Sequence, residues 1–166
     1  VMGGSLGSKK LNSVIRENLE ALLEDYQIIH LTGKGLIDGS IQKEGYIQYE
    51  FVKEELTDLL AITDTVVSRA GSNAIYEFLT LRLPMLLIPL GLDQSRGDQI
   101  DNAKYFESKG YGRVVLEEEL SSTKLLEQLG DIEASRDSIM NHMSDYQESY
   151  TKEDLLNKII DDALSH

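Results

Sequence analysis

Between Val66 and Ala103 the chain twice runs from an unbroken apolar stretch, through a turn of glycine and polar residues, into a helical pattern. The first passage is Val66-Val67-Ser68-Arg69-Ala70-Gly71-Ser72-Asn73-Ala74-Ile75-Tyr76-Glu77. The second begins at Pro84-Met85-Leu86-Leu87-Ile88-Pro89-Leu90, loosens through Gly91 to Gly97, and closes on Asp98-Gln99-Ile100-Asp101-Asn102. Continuous apolar strands suit a parallel sheet buried on both faces. Both strand-to-helix turns then lie at the same sheet edge, where each helix N-terminus aims free N–H groups and a positive dipole end at one crevice.

The rest of the chain continues the alternation. Gly3-Gly4-Ser5-Leu6-Gly7-Ser8 forms a glycine loop after a short N-terminal stub, and Leu11, Val14, Ile15, Leu19, Leu22 and Leu23 mark one face of a helix. Further strands are expected at Tyr26–Thr32, Tyr46–Phe51, Thr65–Ser68, Met85–Leu90 and Gly112–Leu116, with helices over Glu54–Ile62, Ser72–Leu81 and Asp98–Ser108. From Ser121 onward the pattern is helical, and Leu155, Leu156, Ile159, Ile160 and Ala163 line a last helix behind Thr151. Strands and helices at this spacing predict an α/β fold: a Rossmann-like parallel sheet of about six strands with helices on both faces, as one domain over residues 1–166.

Composition narrows the function. A net charge of −13 with a pI near 4.6 opposes phosphate-dominated nucleic-acid binding, and so no nucleic-acid partner is expected. No cysteine is present and no apolar run approaches the ~18 residues of a membrane span, so disulfides, metal thiolates and direct membrane insertion are not expected, and a cytoplasmic location is. A small anionic ligand remains compatible, because helix N-termini act locally while surface acids are screened within about 10 Å. The glycine loop follows so little strand that the chain reads as a piece of something longer.

Known phosphate motifs do not fit. The dinucleotide spacing places Met2 in the first glycine slot, and Gly33-Lys34 is followed by Gly35 where a P-loop needs Ser or Thr. His30, His142 and His166 are scattered without metal-ligand spacing, so no metal site or general base is assigned. The glycine loop reads equally well as a phosphate cradle or as plain turn chemistry.

Candidate ligand residues cluster on the two turns instead. Gly71 lets a ligand or another backbone approach closely, and Ser72 is a candidate N-cap. Asn73 and Glu77 share a helix face, where a carboxylate can accept two hydrogen bonds from a vicinal diol or simply complement the helix dipole. Arg69 meets either a phosphate or an acid of its own turn. Phe51 and Val52, ending a strand at the same edge, hold a flat base or pack in the core. Gln99 and Asn102 grip sugar hydroxyls or cap the loop before them.

The segments Met2-Gly3-Gly4-Ser5-Leu6-Gly7, Tyr49-Glu50-Phe51-Val52, Ser68-Arg69-Ala70-Gly71 with Glu77, and Pro89 with Asp98-Gln99 and Asn102-Ala103 occur in one order at matching spacings. Together they resemble the donor-binding, C-terminal half of the MurG peptidoglycan glycosyltransferases, over essentially the whole chain. The resemblance implies one half of a two-domain GT-B enzyme and UDP-N-acetylglucosamine as ligand, with no cofactor. Ser5 would lie near the diphosphate, Phe51 and Val52 around the uracil, and Arg69, Gly71, Ser72, Asn73 and Ala74 along the nucleotide. Glu77 would hold the ribose, and Gln99 the sugar with Asn102 beside it. Where the family commonly has His or Gln before this glutamine, Asp98 stands here. Lipid I would be bound by the N-terminal half, which this chain does not contain, on the cytoplasmic face of the membrane.

Overall fold

The sheet is assembled around two residues, Val1 and Met2. The computed structural model describes residues 1–4, 6–92 and 97–149. Its strands are β1 (Ile28–Leu31), β2 (Tyr46–Tyr49), β3 (Val66–Ser68), β4 (Met85–Leu87) and β5 (Gly112–Val114), all paired in parallel. β1 pairs with β2, and β3, β4 and β5 form a second ladder. Met2 bridges both ladders, to Leu31 and to Ser68. Its N–H donates to Val67 O at 2.8 Å, while Leu31 N–H donates to Val1 O at 2.9 Å.

Counted as the first strand, this segment makes the order 3-2-1-4-5-6, that of a doubly wound nucleotide-binding sheet. The expected six strands are thus five named strands and one bridging residue, Met2. Because parallel crossovers are right-handed, reversing the order at Met2 puts the helices of the two halves on opposite faces.

The strands are shorter than the apolar runs that mark them. β4 stops at Leu87 because the ladder ends one residue later: Ile88 N–H donates to Ser68 O at 2.8 Å, and Pro89 has no N–H to continue. The helices are α1 (Lys9–Glu17), α2 (Leu19–Asp25), α3 (Leu56–Ala61), α4 (Ser72–Thr80), α5 (Asp98–Ser108), α6 (Ser122–Ala134) and α7 (Arg136–Ser149), with a 3-10 turn at Glu117–Glu119. The single helix expected after the glycine loop breaks at buried Asn18. Its Nδ2 donates to Val14 O at 2.6 Å and to Ser122 Oγ at 2.9 Å, so a side chain replaces the backbone ladder and pins the break to α6. The expected last helix, with Leu155 to Ala163, lies outside the described residues.

Side chains from both helical layers close on the sheet. Leu11 and Ile15 of α1, Ile75 and Phe78 of α4, Leu125 and Ile132 of α6, and the β4 run through Ile88 are essentially inaccessible. Two loops meet backbone to backbone at the carboxyl edge. Gly7 (φ 74°) has room for no side chain, since a Cβ there would stand 2.1 Å from Thr32 O, and a Cβ on Gly33 (φ 94°) would stand 2.6 Å from Gly7 Cα.

A buried polar relay joins α1, β1 and β2. Asn12 Nδ2 donates to Thr32 O at 2.8 Å, which turns its Oδ1 toward His30 Nε2 at 2.9 Å; His30 Nδ1 lies 2.8 Å from the Tyr46 hydroxyl. These partners are satisfied by a neutral imidazole that donates from Nε2 and accepts at Nδ1. Burial, with the nearby terminal amino group and Arg16, pushes the His30 pKa from 6.5 down to about 3.

The unfolded chain therefore takes up the His30 proton first as pH falls. The relay's contribution is complete above pH 6.5 and is lost progressively toward pH 3, each unit costing about 1.4 kcal/mol. Urea midpoints should fall between pH 7 and pH 5, above the main carboxylate range, and the slope should flatten in His30→Gln. An equal slope in the variant would show that other groups carry it.

Candidate functional site: a crevice at the reversal of the sheet

Doubly wound sheets bind ligands where the strand order reverses, because the loops on either side part there. Here that point lies between Met2 and β3. The glycine loop leaves from one side of it, and Arg69-Ala70-Gly71 leaves from the other into α4.

The α4 terminus is open to an acceptor. Its N-cap is Gly71 (φ −71°, ψ 132°), which has no side chain to cap it; Ser72, expected as the cap, is instead the first helical residue. A one-residue shift accounts for this, since Ile75 N–H is the donor that closes on Gly71 O, at 3.1 Å. The preceding amides of Ser72, Asn73 and Ala74 belong to the turn that a helix leaves unpaired. Ser72 and Asn73 are exposed, and Ala74 and Glu77 are half-buried. A Cβ on Gly71 would meet no atom of the other described residues within 4 Å, so their packing gives no reason for glycine there.

Arg69 faces inward. Its side chain is only 7% exposed, and its acid partner is not in its own turn but at Glu117, in the connection after β5, at 2.9 Å. The same nitrogen, Nη2, donates to Ser8 Oγ at 2.6 Å, while Nη1 donates to Ile88 O at 3.2 Å and Pro89 O at 3.4 Å. Burial pushes the Glu117 carboxyl up, but hydrogen bonding and charge from Arg69, with Gly91 N–H and Lys10, outweigh it and hold the group below the usual carboxylate range. Ser8 accepts Leu11 N–H at 3.2 Å as the N-cap of α1. An acid does meet Arg69, though from another connection than its own turn.

The second turn is tied to the first. Asn102 Nδ2 donates to Ser72 Oγ at 2.9 Å, which links α5 to the start of α4. Gln99 Oε1 accepts Leu90 N–H at 3.1 Å, which caps the loop and leaves chiefly the donor end of its amide for a ligand. Gly97 (φ 92°) is the α5 N-cap, with Asp98 and Asp101 in the first turn.

Phe51 and Val52 follow β2 rather than β3. Phe51 is 56% exposed and Val52 is half-buried. Their strand is three positions from β3, on the order of 14 Å at about 4.8 Å per strand, so the candidate residues span a width suited to an extended ligand. Ser5 lies outside the described residues.

Glu117 and Ser8 escaped the sequence reading. The signal for Glu117 was its place just past the carboxyl end of β5, on the same edge as the other turns; nothing local announced a partner at Arg69. No group of residues suited to holding a metal occurs among the described residues, and none of their helices is long and apolar enough to cross a membrane.

The family comparison matches residues 1–159 to the glycosyltransferase family 28 C-terminal domain. The chain belongs to that family. It is 79% identical over 164 residues to the UDP-N-acetylglucosamine--N-acetylmuramyl-(pentapeptide) pyrophosphoryl-undecaprenol N-acetylglucosamine transferase of Staphylococcus haemolyticus, covering 99% of this chain and 46% of that protein. The same-named proteins of Staphylococcus epidermidis and Staphylococcus aureus are 76% and 70% identical over 165 residues, each with the same coverage.

The family 28 chain thus spans about half the length of these relatives. Among solved structures, Acinetobacter baumannii MurG superposes with a TM-score of 0.72 at 20% identity, over 92% of this chain and 45% of that one. A glycotransferase of kitacinnamycin gives the same TM-score and identity over 87% and 36%. At that identity the likeness is one of fold: half of a GT-B architecture.

The two glycines should separate cleanly in a stability test. Gly7→Ala forces a side chain into the left-handed region, at about 1–2 kcal/mol, and into Thr32 O as well, so it should lose several kcal/mol or fail to fold. Gly71→Ala keeps an ordinary φ in open space and should cost no more than about 1 kcal/mol as an N-cap change. Urea melts of both variants check this, and comparable losses would contradict it.

Proposed function

We propose that this chain is the donor half of a UDP-N-acetylglucosamine-dependent hexosyltransferase, which transfers N-acetylglucosamine to lipid I to form lipid II in peptidoglycan synthesis. The observation that carries the reading is the uncapped N-terminus of α4 at the reversal of the sheet, with Gly71 leaving open space and Glu77 one turn on. The naming of the 79% identical relative supports the donor and the acceptor class.

In this reading the amides of Ser72, Asn73 and Ala74 receive the diphosphate side of the nucleotide, aided by the helix dipole. Glu77 accepts the ribose hydroxyls, the exposed ring of Phe51 and the neighbouring Val52 hold the uracil, and Ser5 stands near the phosphates. The donor end of Gln99, with Asn102, addresses the sugar. Arg69 contributes through its buried contacts rather than by touching the ligand.

Transfer is inverting. The acceptor's 4-hydroxyl forms a bond to the anomeric carbon as the bond to the UDP oxygen breaks, its proton passing to a base in the other half, while helix dipoles and polar groups take up the charge on departing UDP. The acceptor is polyprenyl-linked, so the whole protein works peripherally at the cytoplasmic face of the cell membrane. The present chain, a single donor-binding domain, binds donor and transfers negligibly by itself.

Calorimetric titration with UDP, UDP-N-acetylglucosamine, UDP-glucose, ADP and NADH tests this. Uridine nucleotides should bind in preference, and no preference would overturn the reading. Glu77→Ala should weaken UDP and UDP-N-acetylglucosamine alike, by about ten- to a hundredfold for the loss of charged hydrogen bonds. Gln99→Ala should weaken UDP-N-acetylglucosamine while nearly sparing UDP; equal losses would mean that Gln99 serves only the loop it caps.

A further inference from the structure

The carboxyl edge of the sheet carries several loops, and one buried ion pair reaches most of them. Arg69 leaves β3 and donates to Ser8, the cap of α1, and to the carbonyls of Ile88 and Pro89 after β4. Its partner Glu117 stands after β5 and accepts Gly91 N–H, so it reaches the same β4–α5 connection from the other side. Lys10, in the first turn of α1, donates to the Glu117 backbone carbonyl. The pair is 7% and 13% exposed.

We infer that Arg69 and Glu117 are positioning residues for the donor, setting residues 88–91 after β4, and with them Gln99, against the α4 terminus. The inference rests on the donor-binding reading above. The direct tie between the two turns is the Asn102–Ser72 hydrogen bond. That bond fixes the helix starts relative to one another. The loop is fixed at its near end by Ile88 O, Pro89 O and Gly91 N–H, all held by the pair, and by the Leu90–Gln99 bond between them. A carboxylate accepts from both Arg69 and Gly91, and a guanidinium donates to both carbonyls, so each partner joins groups from different strands and loops. Neither group needs to touch the ligand for its loss to be felt in the sugar's place.

A residue that only supports the fold would weaken every ligand together. A residue acting through the β4–α5 connection would instead change the ratio of UDP-N-acetylglucosamine to UDP affinity, and would do so through Gln99. The test is calorimetry with both ligands on the chain carrying Glu117→Gln, Gln99→Ala, and the two combined, with folding followed by circular dichroism. Glu117→Asp, which keeps the charge but shortens the reach, is a second variant.

Glu117→Gln should lower the affinity ratio by about tenfold, and the double variant should be no worse than Gln99→Ala alone, since residues acting as one unit are not additive. Glu117→Asp should fall in the same direction. An unchanged ratio in folded variants, or strictly additive losses, overturns the inference while leaving donor binding intact. Unfolding of both Glu117 variants would assign the pair to the fold and overturn it too. If the unsubstituted chain binds no uridine nucleotide, the donor-binding reading fails, and this inference fails with it.

Discussion

The architecture depends on the hydrogen bonds at its middle. Without those of Val1 and Met2 to Ile29 and Leu31 on one side and to Val67 and Arg69 on the other, the strands would be two separate ladders, each with a bare edge facing the other. Inserting two residues satisfies both edges at once, which is the requirement any buried sheet edge must meet. It also creates the reversal of strand order, and therefore the crevice. The ligand site is thus a by-product of how the central gap is filled.

Under the proposed function, a strongly acidic chain accommodates an anion at that crevice. A bare arginine beside the phosphates would be the obvious device, yet Arg69 is turned inward and matched by Glu117. What the crevice offers a diphosphate is then mostly backbone: amides and a helix dipole, whose orientation is set by the fold and whose strength does not vary with pH. The cation is used where a fixed fork of donors is worth most, holding carbonyls from a different strand.

Most of the fold was legible because its signals are local. Runs such as Met85 to Ile88, glycines at strand ends and the amphipathic helix patterns gave every described strand, with edges drawn one to three residues too long. The missed features were those written between distant positions. Asn18 breaks a helix that its neighbours favour, because Ser122 waits on α6. Glu117 resembled other surface acids until the sheet brought it to Arg69. At the candidate site, residue types near the two turns could be nominated from spacing, but whether a polar end faces ligand or loop, as with Gln99, is a three-dimensional matter. The proposed nucleotide sugar was never in the spacing and was suggested by kinship with known proteins.

Gly7 and Gly71 border the same crevice and are glycine for opposite reasons. At Gly7 the neighbouring backbone leaves no room for a methyl group, so that wall is frozen: drift in sequence there is purged whatever ligand is bound. At Gly71 no other described residue comes close, so the position is open to change as far as their packing is concerned. Divergence of such a scaffold toward new donors therefore has a built-in direction. One rim is inherited unchanged with the fold, and novelty in what the pocket accepts accumulates on the other.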